Sequence, residues 1–363
     1  MKFGFFSPTI NRVGGGEWVT LNMIESIKAK NQEIMVYSAE KTDPIRIREF
    51  VGHDLSFGNE MSLWPNIFDP YSLENIYPNL VKSFLFKQKC DFLIDTFSNA
   101  LFPWSDAVYF HGRPRLLRLP KGIKGYLFMP YKAFLNYSSR ARAKPEEKTL
   151  MACSRFSART VEKLTELTVN VLYPPVSDFF RSEDISKIER KNTVVTVMRI
   201  SKDKRPETIP QIAKLVSDKI SFEIVGSCKL ASEFKVLACL SESIRKLDLT
   251  KKVKLRLNVS REEQRNMLQS SKIYLHPSNT YEAFGVAAVE AMASGCIPIV
   301  PDIGGLKEIV PEKLRYHSLE EAASLVESSI ANWSWQKPQE FADLSDRFSQ
   351  KRFQSEFLKI MKL

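Results

Sequence analysis

The chain alternates short apolar strand patterns with helix formers, and it does so twice. KFGFF (2–6) reads as a buried strand, GGG (14–16) as a turn and Glu17–Lys30 as a helix. EIMVYS (33–38), a helix over Leu73–Lys89, DFLID (91–95) and AVYF (107–110) follow. TLMAC (149–153), a helix at 156–167 and VNVLY (169–173) close the first half. Strands separated by helices form parallel sheets, so the class is α/β. Pro174-Pro175 then breaks the pattern, and Ser177–Lys191 is polar without a core repeat, which marks a linker. The same grammar restarts with TVVTVMRI (193–200), helix Pro206–Val216, SFEIVG (221–226) and helix Leu230–Leu247. KVKLRL (252–257), helix Ser260–Ser270, KIYL (272–275) and IPIV (297–300) continue it.

At 363 residues, a prior of about 150 per domain gives two domains, 1–175 and 176–346. The last stretch, 347–363, is a helix with Phe348, Phe353, Phe357, Ile360 and Met361 near one face. The expected architecture is two Rossmann-like domains facing across a cleft. Open parallel sheets bind ligands outside the carboxyl ends of their strands, so the loops after each strand are where chemistry belongs.

Composition excludes some classes. Apolar residues make up 44% and charged residues 26%, as in a globular protein. No apolar run reaches the length of about 18 residues that marks a transmembrane helix. The N-terminal apolar stretch is too short for a signal peptide. Five scattered cysteines with no Cys-x-x-Cys pair, and four histidines without metal spacing, argue for a reduced, cytoplasmic setting with no zinc site.

The net charge of +11 is concentrated. Between Ala107 and Pro145 stand Arg113, Arg115, Arg118, Lys121, Lys124, Lys132, Arg140, Arg142 and Lys144, with no Asp or Glu among them. Leu116, Leu117, Leu119, Ile123, Tyr126, Leu127, Phe128, Met129, Tyr131, Phe134 and Leu135 are interleaved. Basic and apolar residues together fit an anionic membrane surface. A nucleic-acid partner is not expected, since no such motif is visible. A solvated basic loop that packs its apolar residues inward is the plain alternative.

The most informative stretch is LHPSNTYEAFGVAAVEAMASGCIPIVPDIGGLKEIV (275–310). Glu282 and Glu290 stand eight apart, with Phe284 and Gly285 between them and the helix former VAAVEAMA starting after Gly285. A helix mouth offers open N–H groups to an anion, and carboxylates beside it suit sugar or ribose hydroxyls. Spacing alone is equally compatible with two solvated glutamates. Arg199 and Lys204, in the loop after TVVTVM, are placed to clamp a diphosphate, with Lys202 and Arg205 as neighbours. Gly14, Gly15 and Gly16 open the first helix, where backbone can approach a phosphate or an acceptor closely. The turn is not G-x-G-x-x-G and lacks the Lys-Ser/Thr of a P-loop. His111 ends AVYF and is a candidate donor to a sugar hydroxyl, whereas His53, His276 and His317 read as structural or surface residues.

These residues resemble the Glu-x7-Glu signature of retaining, family 4 type glycosyltransferases (glycosyl transferases group 1). RISKDK resembles the family's Arg-x4-Lys element, and GGGEW and VLYPPV (171–176) are similar to segments of the mannosyltransferases that extend lipid-linked oligosaccharides. The resemblance implies a GT-B fold and a hexosyl transfer from a nucleotide diphosphate sugar, GDP-mannose or a UDP-sugar, to a glycan or polyprenyl-linked acceptor. It implies a donor domain at 176–346, an acceptor domain at 1–175, and a terminal helix 347–363 that packs back on the latter. His111, Glu282, Arg199 and Lys204 would be catalytic. Gly15, Gly16, Arg199, Lys204, Gly226, Phe284, Gly285, Val286 and Glu290 would hold the donor, with the base near Gly226 and Leu257–Val259. Among these, Glu290 would take ribose hydroxyls and Glu282 would face the transferred sugar. Neither a metal nor another cofactor is expected. The enzyme would be peripheral on the inner membrane face, held by the 107–145 segment. A UDP-sugar epimerase on a similar fold, or a non-catalytic nucleotide-sugar-binding protein at the membrane, are the alternative functions.

Overall fold

The computed structural model describes residues 1–63, 75–114, 123–141, 148–182, 184–277 and 281–363. It divides into two compact units, one of residues 1–175 with 350–363 and one of residues 176–349.

The first unit is built on a seven-stranded sheet: β1 (Lys2–Phe6), β2 (Glu33–Tyr37), β3 (Asn59–Met61), β4 (Phe92–Asp95), β5 (Ala107–Phe110), β6 (Thr149–Ala152) and β7 (Asn170–Val171). All pairings are parallel, in the order β3-β2-β1-β4-β5-β6-β7. The chain order reverses between β1 and β4, which places a switch point at their carboxyl ends. Phe3, Phe5, Phe6, Val108, Tyr109 and Phe110 are almost fully buried, as continuous apolar strands covered on both faces must be.

The second unit carries β8 (Lys191–Arg199), β9 (Ser221–Ser227), β10 (Val253–Leu257), β11 (Ser271–Leu275), β12 (Ile297–Pro301) and β13 (Arg315–Tyr316). They are parallel, in the order β10-β9-β8-β11-β12-β13. Here the switch point lies between β8 and β11, so Arg199 and the residue after Leu275 come out side by side.

Several boundaries differ from the sequence reading. The first helix is Gly15–Lys28, so Gly15 and Gly16 are helical and only Gly14 is its cap. Glu17 explains this: its carboxylate accepts the Gly14 N–H at 3.0 Å and the Thr9 hydroxyl at 2.5 Å, closing a capping box. The helix expected over Leu73–Lys89 is described as Ile76–Lys87. Ser177–Lys191 is not a free linker. Phe180 and Ile185 are buried from short 3-10 turns, and the Arg190 guanidinium donates to the carbonyls of Ser271 (2.9 Å) and Ser294 (2.6 Å). Isolated inward residues leave no periodic signal. The terminal helix is Gln350–Met361 rather than 347–363. Phe348 belongs to the second unit, edge-on to Phe284 at 5.2 Å, while Phe353 and Phe357 are buried in the first. That helix packs on Gly15–Lys28, with the Gln354 amide donating to Glu25 at 3.1 Å.

The basic 107–145 segment is only partly described. Arg115, Arg118, Lys121, Lys124, Arg140, Arg142 and Lys144, with the apolar Leu116, Leu117, Leu119, Ile123 and Leu135, lie outside the residues whose side chains are described. Within it, Ile123–Ala141 is a helix on which Phe128 and Tyr131 are buried, while Tyr126, Leu127 and Met129 are exposed. The neighbouring Ile76–Lys87 helix exposes Val81, Phe84 and Leu85, and its Tyr77 hydroxyl donates to the Leu127 carbonyl at 2.7 Å. Among the described residues no helix is long and apolar enough to cross a membrane.

Candidate active site

The second unit gathers Arg199, Lys204, His276, Glu282 and Glu290 around the carboxyl ends of its central strands. Arg199 is the last residue of β8, and Lys204 ends the 3-10 turn Lys202–Lys204 that follows. The Lys204 ammonium donates to Glu282 Oε2 at 2.5 Å. His276, directly after β11, brings Nε2 to 3.3 Å from that same oxygen. The other ring nitrogen, Nδ1, lies 2.8 Å from the Tyr274 hydroxyl, and the Tyr316 hydroxyl donates to the His276 carbonyl at 2.7 Å. The Lys204 ammonium and the His276 ring therefore both face Oε2, and Oε1 of Glu282 has no partner among the described residues. Burial would raise the Glu282 carboxyl, but His276 and Lys204 outweigh it and hold it down at about 2. It is a carboxylate with one open acceptor, which is what a hydroxyl ligand needs.

The backbone that presents Glu282 is fixed by glycines. Gly305 N–H donates to the Glu282 carbonyl at 2.9 Å. A Cβ on Gly304 would stand 2.1 Å from that carbonyl oxygen, and one on Gly305 2.2 Å from the Ala283 oxygen. The Gly-Gly loop is thus packed directly against the Glu282 loop, backbone on backbone. Gly285, at φ +108, caps the helix Val286–Ala293, where a side chain would strike Leu306. The N–H groups of Val286 and Ala287 make no hydrogen bond among the described residues, so the helix mouth is open to an anion. Phe284 is buried, its ring edge-on to Phe348.

Glu290 has the opposite environment. Burial raises its carboxyl to about 7, opposed by the positive field of Arg261. Arg261 lies 4.8 Å from the Phe179 ring centre, and Arg265 packs on the same ring at 4.5 Å. The Glu290 carboxylate makes no hydrogen bond among the described residues. Arg199 is exposed, with Nε 3.7 Å from Glu233 Oε1, and Glu233 caps the helix Ala231–Lys246 through the N–H groups of Lys229 and Leu230. Gly226 pairs in register with Met198, one residue from Arg199, and its lack of a side chain makes room for Ile200, whose Cδ1 would lie 2.5 Å from a Cβ.

In the first unit the Gly turn and His111 do meet. A Cβ on Gly16 would sit 3.6 Å from the His111 ring. The ring reaches back from the end of β5, with Nε2 2.8 Å from the Thr96 carbonyl, and the His111 N–H donates to Asn99 Oδ1 at 2.7 Å. A carbonyl can only accept, so Nε2 carries the proton. Burial lowers the pKa of His111, opposed by the Thr96 bond and Glu17, which favours the neutral ring. What the neutral ring has left is Nδ1, an acceptor. The donor role expected from sequence is corrected to that of an acceptor, because Thr96 already takes the ring N–H. Gly15 is in the first turn of the helix, without a described contact to a ligand-facing group.

Residues 178–330 match the family described as Glycosyl transferases group 1. This stretch is a glycosyl transferases group 1 domain. All of Arg199, Lys204, Gly226, His276, Glu282, Gly285 and Glu290 lie inside the domain. A GDP-Man:Man(3)GlcNAc(2)-PP-Dol alpha-1,2-mannosyltransferase of Candida albicans is 29% identical over 145 residues, 36% of this chain and 24% of that protein. The mouse protein of the same name is 31% identical over 153 residues, 38% of this chain and 30% of that one. A GDP-mannose:cellobiosyl-diphosphopolyprenol alpha-mannosyltransferase of Xanthomonas oryzae is 41% identical over 64 residues, 18% of this chain and 17% of that protein. The chain spans less than a third of the length of these curated relatives. Among solved structures, Anabaena Alr3699/HepE in complex with UDP-glucose aligns at a TM-score of 0.72 and 18% identity, covering 100% of this chain and 99% of that one. WaaG, a glycosyltransferase involved in lipopolysaccharide biosynthesis, aligns at 0.67 and 12%, covering 99% of each. These likenesses show the fold, which is GT-B.

Sequence reasoning missed two members of the cluster. His276, structural on the sequence reading, flanks Glu282; its place at a strand's carboxyl end next to the switch point is the available signal. Arg261 gave no signal, since it reaches Glu290 only through the packing of the helix Arg261–Ser270.

Proposed function

We propose that the protein is a retaining glycosyltransferase that moves a hexosyl group from a nucleotide diphosphate sugar, GDP-mannose first, to a lipid-linked glycan. The observation that carries this is the grouping of Arg199, Lys204, an open helix mouth, and two carboxylates of opposite electrostatic setting in one domain. The cations and the Val286 and Ala287 N–H groups suit the donor diphosphate. Glu290, whose carboxylate has no hydrogen-bond partner among the described residues, suits the ribose hydroxyls, and Glu282 Oε1 suits a hydroxyl of the transferred sugar. Arg199 and Lys204 take the place of a metal in stabilising the leaving group, so no cofactor is needed. The bond from the sugar's anomeric carbon to the diphosphate breaks while the acceptor oxygen bonds that carbon from the same face, and the departing phosphate oxygen takes the acceptor proton. Residues 1–175 serve the acceptor, with His111 Nδ1 and the Gly14–Gly16 turn at its sheet's carboxyl end.

The names of the relatives support GDP-mannose and a diphosphate-linked polyprenol acceptor. The exposed Val81, Phe84, Leu85, Tyr126, Leu127 and Met129, and the run of cations that the sequence carries over 107–145, support attachment to an anionic membrane surface on the cytoplasmic side. The test is a panel of GDP-, UDP- and ADP-sugars with and without a polyprenyl-diphosphate-linked glycan. Acceptor-dependent transfer from GDP-mannose, with an α-linked product by NMR, is expected. Turnover of a UDP-sugar without acceptor would establish the epimerase instead, and binding without turnover would remove the enzyme.

A further inference from the structure

We propose that His276 is a positioning residue that takes over Glu282 when a diphosphate recruits Lys204. This rests on the reading of Lys204 as a diphosphate clamp. The Glu282 carboxylate is held by Lys204 at 2.5 Å through Oε2. His276 Nε2 stands 3.3 Å from the same oxygen, at the long end of hydrogen-bond reach, and it is a buried nitrogen without a hydrogen-bond partner among the described residues. A buried polar atom left unbonded is costly, so a state in which it is bonded is favoured.

The tautomer supports that second state. The Tyr274 side chain is fully buried, and its hydroxyl lies 2.8 Å from Nδ1. With the Tyr274 O–H donating to Nδ1, the ring proton sits on Nε2 and faces the carboxylate. The opposite tautomer would set a lone pair against Oε2 of an ionised Glu282. So His276 is a donor aimed near, and not yet at, Glu282. The loop backbone cannot supply the adjustment, because Gly304 and Gly305 are packed against the carbonyls of Glu282 and Ala283. Rotation of the Glu282 side chain can.

Diphosphate binding provides the cause. A diphosphate and a carboxylate both anchored on one ammonium repel each other. Turning Lys204 to the phosphate frees Oε2, and His276 supplies the replacement donor. Glu282 then keeps its charge and its open Oε1 while the lysine serves the leaving group. The sugar-facing acceptor and the diphosphate clamp are coupled through one oxygen atom.

The test uses the full chain labelled with ¹⁵N, with GDP and UDP as probes. Calorimetry first reports whether either binds. The Nε2 proton signal of His276, identified by its loss in His276→Asn, is then followed by NMR. On binding, it should move downfield and its exchange with solvent should slow by about tenfold or more, as a charge-assisted bond forms. Glu282→Gln should bind the same nucleotide with no such change. Binding without a change at His276, or the same change in Glu282→Gln, overturns the proposal. If neither nucleotide binds, the donor reading itself fails, a result that calorimetry gives alone. In that case the free Lys204→Ala protein decides the handover: it should already show the downfield, slowly exchanging proton, and an unchanged signal overturns it.

Discussion

Replacing Glu290 by Gln should stabilise the ligand-free protein, and do so more as the pH rises. The Glu290 carboxyl goes from an ordinary value of 4.5 to about 7 in the folded state, chiefly by burial. Between those values the folded chain holds a proton that the unfolded chain has lost, so wild-type stability falls as pH increases through this window. A shift from 4.5 to about 7 corresponds to about 3 kcal/mol once both states are ionised. Gln keeps the shape and has no proton to lose. In urea unfolding, the advantage of Glu290→Gln should grow from about 1 kcal/mol at pH 5 to about 3 kcal/mol at pH 8. Saturating GDP should reverse the order at pH 8, because the ionised carboxylate then has ribose hydroxyls to accept from while Gln loses that interaction. Parallel unfolding curves for the two proteins across pH 5–8 would refute the assignment of Glu290 as a carboxylate kept without a partner for a ligand. Stabilisation without any loss of nucleotide affinity would place Glu290 outside the binding site.

Arg199→Ala and Lys204→Ala should each lower turnover by about two to three decades, more than they lower donor affinity, because each removes charge from the leaving group. Rates within threefold of wild type in both would dismiss the clamp. Gly304→Ala should destabilise the protein by about 2–4 kcal/mol, from the left-handed backbone at φ +52 and the Cβ 2.1 Å from the Glu282 carbonyl. Turnover should fall further than the melting temperature alone explains, since the Glu282 loop must move, and a variant with wild-type melting would refute the close packing. Liposomes with anionic lipid should bind the wild-type protein with an affinity that weakens steeply with salt, at about 1 kcal/mol per engaged cation. Reversing charge at Arg115, Arg118 and Lys124 should abolish co-sedimentation and leave GDP binding unchanged, and wild-type protein that ignores such vesicles would remove the membrane assignment.

The alternation of strands and helices is written in the sequence because each element's period and punctuation are local. Buried parallel strands are continuous apolar runs such as IPIV, and caps such as Gly285 stand next to what they cap. For the same reason the Glu-x7-Glu stretch and RISKDK could be read as one kind of site before any fold was known. Sequence determined which residue types stand after which strands.

Tertiary structure alone decided how those groups divide their work. Glu282 and Glu290 have the same chemistry and stand in one short segment, yet one is held at about 2 and the other rises to about 7. The difference comes from Lys204 and His276 on one side and burial near Arg261 on the other. Lys204 arrives from the turn after β8 and Arg261 from the helix Arg261–Ser270, while His276, close by in sequence, is aimed by its place at the end of β11. Likewise, that His111 can only accept follows from a Thr96 carbonyl brought in by a neighbouring strand end. The field at a carboxylate and the free lone pair of an imidazole depend on distances through space. A sequence, which orders residues only along the chain, does not contain them.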